Sequence, residues 1–474
     1  MHLVAIGGSD AGISAALRAR ELDPSVDVTV VVADAYPNFS ICGIPYYIAG
    51  EVAHWQDLAH RSYADLEATG MRLRLDTEAT RLDVGAHQVW LRNPDGSEEP
   101  LSYDRLVVGT GAVPVRPPIE GLAGPAALAE ADGVHLLHTM GDTFSLRRTL
   151  DEQGPATALI VGAGYVGLEM AEGLTMRGLR VAQVEMLPEV LPTVDPELGA
   201  LVRDELCAKG VEVSASTTVR SVARAPSGSP GRLAVEGPDA NGRPRTYFAD
   251  LVLVSVGVRP DTELLVAAGA QIGVRRAVMV DEAMRTGLPD VYAAGDCVVT
   301  LHRLLGVSYL PLGTTAHKQG RVAGENAVGG EAIFAGSLGT QVVKVFDLVA
   351  ARTGVRDHEA ESVGFKPATT QSSPDDHKAY YPTAHAITTR VTGDTESGLL
   401  LGAQLVGRRG TEISKRVDVF ATAIYNDMTV DAMSELDLSY TPPLGSPWDA
   451  VQVAAQAWVS DHELGEQRRA LAGA

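Results

Sequence analysis

Short apolar runs, each closed by a glycine turn and followed by an amphipathic stretch, organise most of this chain. HLVAI at 2–6 predicts a buried strand, GGSDAG at 7–12 a turn, and ISAALRARELD a helix with small residues on one side. VDVTVVVAD then predicts a second strand ending at Asp34, which completes a βαβ unit. The same grammar returns at 157–185: TALIV as strand, GAGYVG as turn, LEMAEGLTMRG as helix, and RVAQVE as a strand ending at Glu185. Two such units imply two nucleotide-binding domains rather than a solenoid. YDRLVVGTGAVPVRPP at 103–118 and DLVLVSVGVRPDTELL at 250–265 read as strands running into glycine turns and proline-rich crossovers. VYAAGDCV at 291–298 is a further buried strand. From about 335 the texture changes to alternating strands (TQVVKVF, AHAITTRV, GLLLGAQLVG) followed by Ala- and Val-rich helices, a separate α+β domain. The polar end after 462 is expected to be a mobile tail.

The second glycine turn carries the clearest chemistry. In GAGYVG, Gly162 permits the tight turn, Gly164 admits a pyrophosphate to the backbone, and Gly167 lets helix and strand approach. Phosphates would lie at the helix N-terminus, where free N–H groups favour anions. Glu185 is placed to bind an adenosine ribose diol and to repel a 2′-phosphate, so NADH is the expected nicotinamide, with NADPH possible. The first turn is less regular: Gly7 and Gly12 are present, but Ser9 takes the middle position. Asp34 is either a second ribose ligand or an ordinary strand-end acid. Asp296, in AAGDC, is either a turn former or a ligand to a polyol.

Composition narrows the partners. Asp and Glu outnumber Lys and Arg by 60 to 39, for a formal charge of −21. Nucleic acid and anionic membrane surfaces are therefore not expected partners. The chain opens directly into LVAIGG, so no signal peptide is expected, and no apolar run is long enough to span a bilayer. The three cysteines, Cys42, Cys207 and Cys297, are far apart, with no metal-ligand spacing. No metal is expected, and a reducing cytoplasm is the expected location.

Cys42 stands alone in SICGIPYY. Gly43 and Pro45 suit the first turn of a helix starting near the cysteine. A helix N-terminus there would stabilise thiolate, the attacking species in disulfide exchange. The plainer reading is a small buried hydrophobe, which is also the reading for Cys207 and Cys297.

Nine segments, taken in order, carry a resemblance: SICGIPYY (40–47), GTGAVPVRPP (109–118), GAGYVGLEMAE (162–172), VEMLPEVLPTVD (184–195), SVGVRPD (255–261), AAGDC (293–297), PLGTTAHKQGRVAGENAVGG (311–330), KVFDLVAARTG (344–354) and DLSYTPP (437–443). Together they resemble the FAD-dependent pyridine nucleotide-disulfide oxidoreductases. The single-cysteine branch is the nearest in pattern: coenzyme A disulfide reductases, NADH oxidases and NADH peroxidases. The resemblance implies an α/β fold with two Rossmann-like domains and a C-terminal α+β dimerisation domain. FAD would occupy 1–120 and 271–333, NAD(P)H 121–270, and the homodimer interface 334–462, with 463–474 as the tail.

For FAD the resemblance implies Gly7, Gly8, Ser9, Ala11, Gly12, Asp34, Ala79, Thr110, Gly111, Ala112, Gly295, Asp296, Pro311, Leu312, Gly313 and Thr314. For the nicotinamide nucleotide it implies Gly162, Gly164, Tyr165, Val166, Gly167, Glu169, Glu185 and Gly257. Cys42 would lie beside the flavin, opposite the nicotinamide. Tyr381 and Tyr440 match tyrosines that reach the cysteine from the partner subunit; interface packing is their alternative role. Asp10 stands where peroxidases carry a histidine, and would act as a proton donor or cap the first helix. Arg18 and Arg20 could meet coenzyme A phosphates, or be solvated. The expected reaction passes hydride from NADH to FAD and then electrons through Cys42 to a small disulfide or persulfide of coenzyme A type. The alternatives are an NAD(P)H oxidase, with O2 taken to water or peroxide, and a redox-sensing flavoprotein.

Overall fold

The computed structural model describes residues 1–472, with side chains through His462. Its first sheet is fully parallel, with strand order Val291–Ala293, Arg105–Val108, His2–Ile6, Asp27–Val31, Met71–Arg74. The strands are Val- and Leu-rich because helices and loops cover both faces, so alternation is unnecessary. The second strand ends at Val31, earlier than the sequence pattern suggests. Asp34 lies in the bend beyond it, where its carboxylate accepts a hydrogen bond from the Tyr36 amide at 2.8 Å. Backbone bonding to the neighbouring segment continues into this bend, the Val32 amide reaching the Arg74 carbonyl at 2.8 Å and the Asp76 amide the Asp34 carbonyl at 3.0 Å.

Helix α1 (Asp10–Leu22) returns across this sheet on a face of Ala11, Gly12, Ile13, Ala15, Ala16 and Ala19. A short 3₁₀ turn, Ile41–Gly43, leads into helix α2 (Ile44–Ala49), which has proline in its first turn and ends on Gly50 in the left-handed conformation.

A second parallel sheet follows, in the order Glu212–Ser214, Arg180–Val184, Thr157–Val161, Leu251–Val254, Val134–His135. Helix α3 (Tyr165–Met176) starts directly after its glycine turn and packs against α2. An antiparallel pair, Ala112–Pro114 with Val258–Pro260, joins the crossovers leaving the two sheets. Helix α4 (Gly313–Ala327) then lies along α1. That approach is close enough that a Cβ on Gly320 or Gly324 would run into the backbone of Ala11 or Ala15.

The C-terminal region is a five-stranded antiparallel sheet in the order Gln341–Val345, Leu348–Gly354, Leu400–Arg408, Thr388–Asp394, Pro367–Ser372. Helix Ile413–Tyr425 and helix α5 (Ala450–Ala472) cover one face, around the fully buried Trp458. The segment expected to form a tail falls within α5; its side chains from residue 463 and residues 473–474 lie outside the described part. No helix among the described residues is long and apolar enough to cross a membrane.

Candidate active site at Cys42

The first glycine turn is closed by sterics. Gly7 has φ of +114°, and a Cβ there would collide with the Gly109 carbonyl. A Cβ on Gly12 would strike the Gly7 carbonyl. The turn can therefore tolerate Ser9 at its middle position, where the backbone is extended. Ser9 is the N-cap residue of α1, and it makes no side-chain capping bond. Asp10 is the first helical residue and does not cap the helix; its carboxylate turns instead to His317 on α4, with Oδ1 3.3 Å from Nε2. The capping alternative is thereby corrected.

Gly8, Ala11, Thr110, Gly111, Ala112 and Gly295 line the same rim. Thr110 donates to the Asp261 carbonyl at 2.6 Å, and the Gly295 amide donates to Gln319 Oε1 at 2.9 Å. A Cβ on Gly295 would crowd Ala11, so the 295–296 turn sits against the start of α1. Asp296 presents a half-buried carboxylate that takes no hydrogen bond from described protein groups. Burial, then the nearby Asp10, pushes it up to about 7. A polar group in that condition fits an external hydroxyl partner. Pro311, Leu312, Gly313 and Thr314 lead into α4 beside this rim, and a Cβ on Gly313 would reach Asp10 Oδ2. Ala79 lies one layer away, in strand Glu78–Asp83, against the core behind the first sheet.

The second turn differs at its middle glycine. A Cβ on Gly162 or Gly167 would meet backbone, whereas Gly164 faces open space. That opening fits a pyrophosphate approaching the N-terminus of α3. Glu185 is buried and anchored, its two carboxylate oxygens accepting from the amides of Ala163 at 2.7 Å and Leu187 at 2.9 Å. Val166 and Gly257 are exposed near this opening, and Tyr165 begins α3 half-buried, its phenol pushed up to about 12 by burial.

Cys42 lies where these parts converge. Its residue is exposed, in the 3₁₀ turn before α2. The helix-based expectation of a favoured thiolate is not met. Partial burial raises the thiol, and the carboxylates of Glu169, Asp10 and Asp296 raise it further. The physical reason is plain: α2 has only six residues, so its dipole is weak, and three acids oppose it. Those acids come from three separate elements, α3, α1 and the 295–296 turn.

Glu169 is itself pushed up to about 7, chiefly by burial. It accepts a hydrogen bond from Tyr46 of α2 at 3.0 Å. One turn further along α3, Glu172 pairs with Lys344 of the C-terminal sheet and accepts from the Phe346 amide at 2.8 Å. Lys344 also reaches Glu51 just beyond α2, at 3.2 Å. This network ties the cysteine segment, α3 and the C-terminal sheet together. Sequence reading did not single out Tyr46, Glu172 or Lys344. Each lies inside or beside a motif quoted for the family, but no local periodicity pairs them.

Beside Asp10 a pocket of about 340 Å³ opens between α1 and α4, lined by Ser14, Asn38, Arg61, His317 and Arg321 among others. Arg18 and Arg20 are not free for it. Arg18 is paired with Glu21 and Glu325, and Arg20 donates to the carbonyls of Thr69, Pro24 and Val26. Arg61 and Arg321 line it instead, Arg321 lying 3.4 Å from Glu21. Tyr381 and Tyr440 are 43% and 45% exposed on the C-terminal domain. Within the chain their neighbours are local: His377 for the Tyr381 ring, Tyr380 for the Tyr440 hydroxyl. Cys207 is exposed at the end of a helix, and Cys297 is fully buried with its thiol pushed up to about 11. Cys297 suits the small-hydrophobe reading, whereas Cys207 is at the surface.

The family profile described as pyridine nucleotide-disulphide oxidoreductase matches residues 1–320, and its dimerisation-domain profile matches 340–450. The chain belongs to this family. An NADH oxidase of Methanocaldococcus jannaschii is 32% identical over 460 residues, covering 96% of this chain and 98% of the relative. A CoA-dependent NAD(P)H sulfur oxidoreductase of Pyrococcus abyssi is 32% identical over 461 residues, covering 96% and 97%. The solved NAD-dependent persulfide reductase from A. fulgidus superposes with a TM-score of 0.89 at 36% identity, covering 98% of this chain and 84% of that one. The two Rossmann-like domains and the C-terminal dimerisation domain are those of the family.

Proposed function

We propose that this protein is an FAD-dependent NADH oxidoreductase that reduces a small disulfide or persulfide of coenzyme A type through Cys42, as a homodimer. The observation that carries this reading is the convergence at Cys42. An exposed, unpaired thiol feels carboxylates from α1, α3 and the 295–296 turn, and an arginine-bearing pocket opens beside His317, the partner of Asp10. The names of the relatives support the acceptor class.

The residues fit FAD. The Gly7–Gly12 turn leaves no room for side chains at its glycines, and Asp296 offers an unpartnered carboxylate for a ribityl hydroxyl. Asp34 and the 109–112 turn would hold the adenosine end and the diphosphate. Bound FAD supplies the acceptance of hydride from NADH and the delivery of two electrons to sulfur. Gly162, Gly164 and Gly167 would seat the NADH pyrophosphate, Glu185 its ribose, and Tyr165 and Glu169 would flank the nicotinamide.

The work of the chain's own groups follows. The Cys42 thiolate attacks one sulfur of the disulfide, forming a mixed disulfide and expelling one thiolate, which takes a proton. Two electrons then cleave the mixed disulfide, and the second thiol leaves. The balance is one NADH, one proton and one disulfide giving NAD⁺ and two thiols. Tyr381 and Tyr440, exposed on each chain, would serve the cysteine of the second subunit as proton donors. Arg61 and Arg321 would bind phosphates of the acceptor.

The test is Cys42→Ser in the flavin-loaded enzyme. Bleaching of the flavin by NADH under anaerobic conditions should persist, while disulfide reduction should vanish. Disulfide turnover surviving in the variant would defeat the assignment. Peroxide-forming oxygen uptake that persists in the variant would mark direct oxidation by O2 as a separate path.

A further inference from the structure

Three side chains remote in sequence meet at the edge of the pocket between α1 and α4. Asp10 opens α1, His60 lies in the loop after the turn Trp55–Leu58, and His317 is in the second turn of α4. Each offers one ligand atom, and the three atoms lie within 4.8 Å of one another. His317 Nε2 and Asp10 Oδ1 are 3.3 Å apart. Tetrahedral ligands about 2.1 Å from a zinc-class ion stand about 3.4 Å from each other, so this pair already has the separation such an ion requires. His60 is exposed and free to close the remaining gap by side-chain rotation.

The surroundings hold these ligands in place. Ser14 Oγ lies 2.8 Å from His317 Nδ1, which leaves Nε2 directed at Asp10. A hydrogen bond on the far ring nitrogen is the usual support for a metal-bound histidine. The His60 amide donates to the Asn38 carbonyl at 2.9 Å, fixing its loop to the segment that leads to Cys42. The His60 and His317 rings stand edge to face, their centroids 6.2 Å apart and their planes at 72°.

We propose that Asp10, His60 and His317 form a three-ligand site for a divalent transition metal of the zinc class, at the edge of the pocket between α1 and α4 that His317 lines. Two imidazoles and one carboxylate suit Zn²⁺, Co²⁺ or Ni²⁺ better than Mg²⁺ or Ca²⁺. On the proposed reading that the acceptor's phosphates sit in this pocket, a metal there stands across its approach. It should inhibit disulfide turnover and leave NADH-to-flavin transfer intact.

The test uses purified flavin-loaded protein freed of metal by chelation, with Co²⁺ as the visible probe and Zn²⁺ as competitor. One Co²⁺ per subunit should bind, with a tetrahedral-type absorption band that Zn²⁺ abolishes. His60→Ala, on an exposed loop, and His317→Asn should each weaken binding about tenfold or more. Cys42→Ser should retain both the stoichiometry and the band. Failure of the wild type to bind one Co²⁺ per subunit, equal binding by His60→Ala, or loss of binding in Cys42→Ser overturns the site. Binding is read without turnover, so its failure is distinct from failure of the proposed reaction.

Discussion

Tyr46→Phe isolates one bond that joins the cysteine segment to α3. Tyr46 donates to Glu169 at 3.0 Å. In the wild type, burial raises Glu169 to about 7, and the Tyr46 hydrogen bond works against that rise. Removing the hydroxyl deletes an opposing influence and leaves burial in place, so Glu169 must rise further. A hydrogen bond to a charged group has a net worth of about 1.5–3 kcal/mol. At about 1.4 kcal/mol per pH unit, the shift is about one to two units upward. The first assay is the pH dependence of flavin reduction by NADH in anaerobic stopped flow, whose midpoint should move up by that amount.

Stability supplies a second readout of the same bond. An acid whose folded pKa exceeds its unfolded value costs stability as pH rises from the unfolded pKa through the folded one. Glu169 starts from 4.5, so its cost develops between that value and about 7. In the variant the cost continues to accumulate above that window. The melting-temperature deficit of Tyr46→Phe should therefore widen on the alkaline side of neutrality. A deficit constant from acid to alkaline pH, or a kinetic midpoint that falls, would refute the assignment of this bond to Glu169.

Two further outcomes follow from the same geometry. Glu185 is anchored by two backbone amides and pairs with no cation among the described residues, so KM for NADH should be lower than for NADPH by about tenfold or more, equal to about 1.4 kcal/mol; the reverse order in steady-state kinetics would mean that Glu185 does not read the ribose. Lys344→Met should destabilise the protein by up to about 3–5 kcal/mol, because Glu172, at 7% side-chain exposure, is left charged. Adding Glu172→Gln should recover part of that loss, and strictly additive effects in urea unfolding would remove the pair from the interdomain tie.

The fold was legible because its signals are local. A strand, a glycine turn and a helix occupy adjacent residues, and the clash of a Cβ at Gly7, Gly12 or Gly162 with nearby backbone explains why glycine stands there. Glu185 was legible for the same reason, one residue past a strand end. Asp34 was only half legible: the strand stops at Val31 and Asp34 sits in the bend after it with its carboxylate on the Tyr36 amide, a bond that apolar periodicity does not register. Arg18 and Arg20 were misleading because their partners, Glu325 and the Thr69 carbonyl, come from other parts of the chain.

The acidity of Cys42 shows why the site was harder to read than the fold. Local sequence places the thiol before a proline-started helix, which favours thiolate. The structure adds partial burial first, then Glu169, Asp10 and Asp296 from three separate elements, and all of these favour thiol. The long-range influences prevail because the helix is a turn and a half long, while each carboxylate acts through partly buried surroundings where charge is poorly screened. The same surroundings raise all three acids. Holding a proton on any of them lowers the cost of the thiolate. A positive charge seated among these acids would move the thiol in the same direction, whereas a hydroxyl bonded to Asp296 would stabilise its carboxylate and move the thiol the other way. The nucleophile is thus set by what occupies its neighbours, and the seating of cofactor and acceptor is where its reactivity is decided.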